Sequence, residues 1–124
     1  MEYNWGDKTI LIVEDYDINT LLMKYKFEPT NVKIDVAENS IEFFNLLGKN
    51  MYDLVLMDIN LGEKLTGIDL ARYMSSQNIN IPIIFQTACD KNSYDLSNIN
   101  INRFVAKPID FNRLFILISE IFKE

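Results

Sequence analysis

Asp53-Leu54-Val55-Leu56-Met57-Asp58-Ile59-Asn60 is an apolar run without alternation, Leu54 to Met57, that stops at a carboxylate. A short run of this kind suits a central strand of a parallel sheet, buried on both faces. Such sheets bind ligands in the crevice beyond the carboxyl ends of their strands. Asp58 falls in that crevice. A lone Asp after a strand commonly does no more than cap a turn. Asp58 acquires a larger meaning because other strands of this chain also end in polar groups.

Working outward, Thr9 to Val13 (TILIV) is a second continuous apolar run, followed at once by Glu14 and Asp15. Asp17 then reads as the N-cap of a helix whose inward face is Ile18, Leu21, Leu22 and Tyr25, at i, i+3, i+4 and i+7. Glu28-Pro29 stops that helix, because the residue before proline is disfavoured in the helical region. Val32, Ile34 and Val36 alternate with Lys33 and Asp35, the pattern of a strand at a sheet edge. Asn39 or Ser40 caps a second helix with Ile41, Phe44 and Leu47 inward, ending near Gly48.

A loop from Ile59 to Thr66, containing Gly62, leads from the opening strand to a third helix capped by Thr66. Its inner face is Gly67, Leu70, Ala71 and Met74. Pro82 to Thr87 is the fourth strand and Arg103 to Ala106 the fifth. Asp110 caps a last helix with Phe111, Leu114, Phe115, Ile118 and Ile121 inward. Between the fourth and fifth strands, Asp90 to Asn102 is rich in Asn, Asp and Ser, whose side chains compete for helical hydrogen bonds. A short, poorly formed helix is expected there, around Asn92 to Ser97.

Strand and helix alternate throughout, which implies an α/β domain with a five-stranded parallel sheet and helices on both faces. An edge position for the second strand selects the order 2-1-3-4-5, the flavodoxin-like doubly wound arrangement. The 124 residues make one domain, with residues 1–7 as an extension before the first strand. Composition excludes several functions. The net charge of −6 argues against binding nucleic acid through its phosphates. No apolar run approaches the roughly 20 residues of a membrane span, and no signal peptide is visible. One cysteine, Cys89, forbids an internal disulfide. The absence of histidine removes imidazole bases and His-ligated metals.

In the 2-1-3-4-5 order, neighbouring strand tips carry Glu14 and Asp15, Asp58, Thr87, and Lys107. Carboxylates held about 4 Å apart repel by about 4 kcal/mol per pair at an effective dielectric near 20. One lysine does not offset that, whereas a divalent cation with oxygen ligands does, and Mg2+ matches. A free carboxylate with a cation, a hydroxyl and an ammonium beside it suits phosphoryl transfer. A dinucleotide site is disfavoured, since no Gly-x-Gly turn follows the first strand.

The segments ILIVEDYDIN, YDLVLMDINLGEKLTGIDL, PIIFQTA and FVAKP, in this order and spacing, resemble the receiver domains of the bacterial two-component response regulators, of the chemotaxis-regulator-like fold. The resemblance runs from Lys8 to the end. It implies that Asp58 is the phosphoacceptor nucleophile. Glu14 and Asp15 would hold Mg2+ (or Mn2+), joined by Asp58 and the main-chain carbonyl of Asn60. Thr87 would donate its hydroxyl to the phosphoryl group, beside the backbone N–H of Ala88, and Lys107 would pair with it before a cis Pro108. Phe104 matches the aromatic switch position, and as a phenylalanine it is expected to favour the inward rotamer.

A single-domain regulator of this kind is expected to be cytoplasmic and to take its phosphoryl group from a histidine kinase or histidine phosphotransfer protein. It would act on a downstream protein as a monomer or a phosphorylation-dependent dimer, and would not be an enzyme towards other substrates. The remaining alternatives are a receiver excised from a hybrid histidine kinase and a phosphorylation-independent interaction module. A phosphatase of the aspartyl-phosphate class is a poor fit, because Asn60 stands where a second Asp is needed.

Overall fold

The computed structural model describes residues 2–88 and 103–123. Five strands, β1 (Thr9–Val13), β2 (Lys33–Ala37), β3 (Leu54–Asp58), β4 (Ile83–Thr87) and β5 (Arg103–Ala106), form one parallel sheet in the order β2-β1-β3-β4-β5. Four α-helices are described: α1 (Asp17–Phe27), α2 (Ser40–Lys49), α3 (Gly67–Ser76) and α4 (Phe111–Phe122). The expected helix around Asn92 to Ser97 lies outside the described residues, as does Cys89.

Successive strand residues point to opposite faces of the sheet, so each central strand feeds two cores. Leu11, Val13, Val55, Met57 and Phe85 pack with Phe43, Leu70 and Met74 on the α2–α3 side. Ile10, Ile12, Leu54, Leu56 and Ile84 pack with Met23, Phe27, Leu114 and Ile118 on the α1–α4 side. Every residue of β3 is buried, as its unbroken apolar run requires. Asp58 shares parity with Leu54 and Leu56, which places its side chain on the α1–α4 side.

The first helix differs from the reading of its sequence. Its inward residues are Thr20, Met23 and Phe27, while Ile18, Leu21 and Tyr25 are 62%, 67% and 72% exposed. Leu22 is exposed as well. Both faces of α1 are apolar, so spacing alone does not choose between them. Phe27 decides, because it closes an aromatic cluster with Trp5 and Phe115. Thr20 tolerates burial because its hydroxyl donates to the Tyr16 carbonyl at 3.0 Å. Asp17 is the first helical residue rather than the cap, which falls at Tyr16.

In α2, Asn39 is the cap and accepts from the Glu42 N–H, but Phe43 takes the inward position and Ile41 faces solvent. Phe44 and Leu47 pack only at the margin of the core. The helix ends at Lys49, just past the expected Gly48. Elsewhere the pattern holds. Thr66 and Asp69 form a reciprocal capping box, and Gly67, Leu70, Ala71 and Met74 are all buried. Asp110 caps α4, with Leu114 and Ile118 fully inward and Phe111, Phe115 and Ile121 partly so.

The residues before β1 take part in the core. Trp5 is buried, its backbone N–H donates to the Thr30 carbonyl at 2.7 Å, and its ring lies 5.5 Å from Phe115 and 5.4 Å from Phe122.

Candidate functional site: an acidic cleft at the strand tips

The connection from β3 to α3 fixes the centre of the site. The Gly67 N–H donates to the Ile59 carbonyl at 2.8 Å, folding the loop back on the strand. A Cβ at Gly67 would collide with the Asp58 carbonyl oxygen, so glycine is what lets α3 begin against β3. Asp58 is thereby held buried, and its Oδ1 accepts from the Asn60 N–H at 3.2 Å.

Around it lies a cleft of about 240 Å³ lined by Glu14, Asp15, Tyr16, Asn19, Asp58, Asn60, Thr87, Ala88 and Lys107. Lys107, at the end of β5, donates to Asp58 Oδ2 at 2.7 Å and lies 3.6 Å from Glu14 Oε1. Its N–H donates to the Thr87 carbonyl at 2.9 Å, extending the β4–β5 pairing to the cleft floor. The Lys107–Pro108 bond is cis. Oxygen atoms of Glu14, Asp15 and Asp58 all lie within 4.8 Å of one another. The sequence-predicted residues Glu14, Asp15, Asp58, Asn60, Thr87, Ala88 and Lys107 therefore meet in one place. Phe104 lies outside the cleft, half-buried and stacked on Phe85 at 5.2 Å.

Electrostatically the cleft is short of positive charge. Glu14 is 1% exposed. Burial, then its contact with Asp58, pushes its carboxyl up to about 7, and Lys107 only partly opposes this. Burial pulls on Lys107 too, but the hydrogen bond and charge of Asp58, with Glu14 behind, raise its ammonium above the ordinary value. Among the described residues, Glu14 Oε2 is buried without a hydrogen-bond partner. A buried acceptor in that condition is costly unless something satisfies it. A hard divalent cation does so, and the donor set here, three carboxylates with oxygen atoms within 4.8 Å of one another, fits Mg2+.

Sequence reasoning missed several parts. Asn19, one helical turn beyond Asp15, donates to Glu14 Oε1 at 3.4 Å. Its spacing was the available signal. Gly62, with φ of +67°, runs so close to Asp15 that a Cβ there would lie 2.8 Å from Asp15 Oδ2. Gln86 pairs with Asp58 across β3–β4, and its Nε2 is buried without a partner among the described residues.

A doubly wound sheet with an acidic cleft beyond the carboxyl ends of its central strands defines a class of α/β domain that binds its ligands at the strand tips. Residues 10–119 match the response regulator receiver domain, and the chain belongs to that family. It is 31% identical over 106 residues to the sensory transduction protein LytR of Staphylococcus epidermidis, covering 84% of this chain and 42% of LytR. The structure resembles the receiver domain of the Francisella response regulator 1452, with a TM-score of 0.83 and 26% identity over 94% of this chain and 97% of that one. It also resembles the response regulator protein TrrA of Thermotoga maritima, solved in complex with Mg2+-BeF, with a TM-score of 0.79 and 28% identity over 92% and 98% of the two chains. The chain spans less than half the length of the curated relatives it matches. Among the described residues, no helix is long and apolar enough to cross a membrane.

Proposed function

We propose that this chain is a single-domain, chemotaxis-regulator-like receiver of the cytoplasm that accepts a phosphoryl group on Asp58 from a phosphohistidine donor and switches a partner-binding face in response. The observation that carries this reading is the Lys107 ammonium 2.7 Å from Asp58 Oδ2, within a cluster of three carboxylates. Glu14, Asp15, Asp58 and the Asn60 carbonyl would hold Mg2+, which supplies charge neutralisation for the transferring group. A carboxylate oxygen of Asp58 attacks phosphorus as the phosphorus–nitrogen bond to the donor imidazole breaks, and the imidazole takes a proton from water. Lys107 pairs with one equatorial oxygen, and the Thr87 hydroxyl and Ala88 N–H reach others.

The product carries a charge of roughly −2 on Asp58. Thr87 closes on it, Phe104 follows into the space, and the face made by β5 and α4 changes shape. These 124 residues contain no histidine, so the donor imidazole lies outside them. The exposed stripe of Ile18, Leu21, Leu22 and Tyr25 lies beside the cleft, with Tyr16 and Asn19 of the same segment in its wall. It is the natural seat for a donor kinase or phosphotransfer protein.

Incubation with Mg2+ and acetyl phosphate, followed by intact-mass analysis, tests the chemistry. The expected result is the added mass of one phosphoryl group, lost in Asp58→Asn. A folded protein that never gains it ends the proposal. A second reading, a receiver cut from a longer protein such as a hybrid kinase, is favoured by the partial coverage of the curated relatives. The length of the natural gene product decides between the two.

A further inference from the structure

The β3–α3 loop is tied to a helix that contributes no side chain to the cleft. Both carboxylate oxygens of Glu63 are engaged by one residue far away in sequence. Ser40 Oγ donates to Glu63 Oε1 at 2.6 Å, and the Ser40 N–H donates to Oε2 at 3.1 Å. Ser40 is the first helical residue of α2 and is buried. Its N–H is among the donors that a helix start leaves without an internal partner, and a carboxylate there also meets the favourable end of the helix dipole.

The residue next to Glu63 is Gly62, whose backbone forms the wall against which the exposed Asp15 carboxylate rests. Two residues earlier, the Asn60 N–H holds Asp58 Oδ1, and Leu61 between them is anchored in the core. One short segment thus touches Asp58, Asp15 and α2.

We infer that Glu63 is a positioning residue for the cation site: its paired hydrogen bonds to Ser40 fix the loop, and the loop sets Asp15 and the Asn60 carbonyl. This rests on the Mg2+ reading proposed above. Without the clamp the loop keeps its anchors at Leu61 and Gly67 but loses the one between them. The Gly62 wall and the Asn60 carbonyl then move relative to Glu14 and Asp58. A cation that demands near-ideal octahedral geometry is sensitive to such displacement.

Titration of the whole chain with Mg2+ alone, followed by amide NMR, tests this, with urea unfolding in the absence of Mg2+ alongside. Ser40→Pro removes both donors and leaves the Glu63 charge in place. Proline is well tolerated at a first helical position, and Asn39 before it is already extended, at φ −157° and ψ 177°. Glu63→Ala removes the acceptor instead. Both variants should raise the Mg2+ dissociation constant by about three- to thirty-fold, and both should shrink the Mg2+-induced shifts of the Asp15 and Gly62 amides.

A folded Ser40→Pro protein with affinity within about twofold of wild type overturns the inference. So does a loss confined to Glu63→Ala, which assigns the effect to charge. Should Ser40→Pro fail to fold, Ser40→Ala, which removes the shorter bond, takes its place: weaker Mg2+ binding supports the clamp and unchanged binding overturns it. A wild-type chain that binds no Mg2+ fails at the first titration, and the cation-site reading falls with the clamp.

Discussion

Glu14 is held in a protonation balance that the folded chain makes and the unfolded chain lacks. Its carboxyl, raised from 4.5 to about 7, keeps a proton in the folded state after the unfolded state has lost it. Stability of the cation-free protein therefore falls as pH climbs from about 4.5 to about 7 and levels off above that. Urea midpoints measured across this range should show the descent in the wild type and its loss in Glu14→Gln. Apparent Mg2+ affinity should run the other way, rising over the same window as Glu14 gives up its proton. Gln86 is a simpler case. Its Nε2 is buried without a hydrogen-bond partner among the described residues, so Gln86→Leu should stabilise the fold by about 1–2 kcal/mol by removing an unsatisfied donor. Equal or lower stability in Gln86→Leu would show that the amide finds a partner. The two residues were not equally legible. Glu14 and Asp58 each end an apolar run, a pattern visible in one dimension. The isolation of the Gln86 amide depends on what β3 and α1 place around it, which no local pattern encodes.

Helix α1 shows why an amphipathic pattern identifies a helix more securely than it orients one. The stripe Ile18, Leu21, Leu22, Tyr25 has the spacing of a buried face, yet the core takes Thr20, Met23 and Phe27. The choice was made by residues remote in sequence, Trp5 and Phe115, which build the socket for Phe27. Helix α3 was read correctly because only one of its faces is apolar and its capping box fixes where that face begins. The two faces of α1 predict opposite mutational behaviour. Met23→Ala should cost about 2–5 kcal/mol, as a fully buried side chain leaving a cavity. Leu21→Ser with Tyr25→Ser should change stability by no more than about 0.5 kcal/mol for each substitution. If the stripe seats the donor, the double variant should accept phosphoryl groups from acetyl phosphate at the wild-type rate. Transfer from a histidine phosphotransfer protein should slow at least about tenfold, the effect of losing one or two apolar anchors. Equal slowing with both donors would place the fault in the cleft rather than at the docking surface.

The molecule as a whole has two poles set by the direction of a parallel sheet. Carboxyl ends of the strands carry the cleft. Amino ends are closed by Tyr3 and Trp5, packed with Phe27, Phe115 and Phe122. The alternation of strands and helices, with the edge pattern of β2, was enough to order the sheet and bring Asp58, Glu14 and Lys107 to one end. It carried no information about the other pole, because the segment before β1 is polar apart from two aromatic residues. Division of labour between the poles has a measurable consequence. Trp5 is the sole tryptophan, and its ring stands beyond the start of β1, at the far end of the sheet from Asp58. Its emission should follow unfolding but stay unchanged when Mg2+ and beryllofluoride are added, even as amide signals of Thr87 and Phe104 shift. Trp5→Ala should lower stability by about 3–5 kcal/mol, while the fraction of molecules still folded accepts phosphoryl groups on Asp58 as the wild type does. A Trp5 emission change on loading the cleft would mean that the two ends are coupled through α4, and the separation argued from strand direction would then fail.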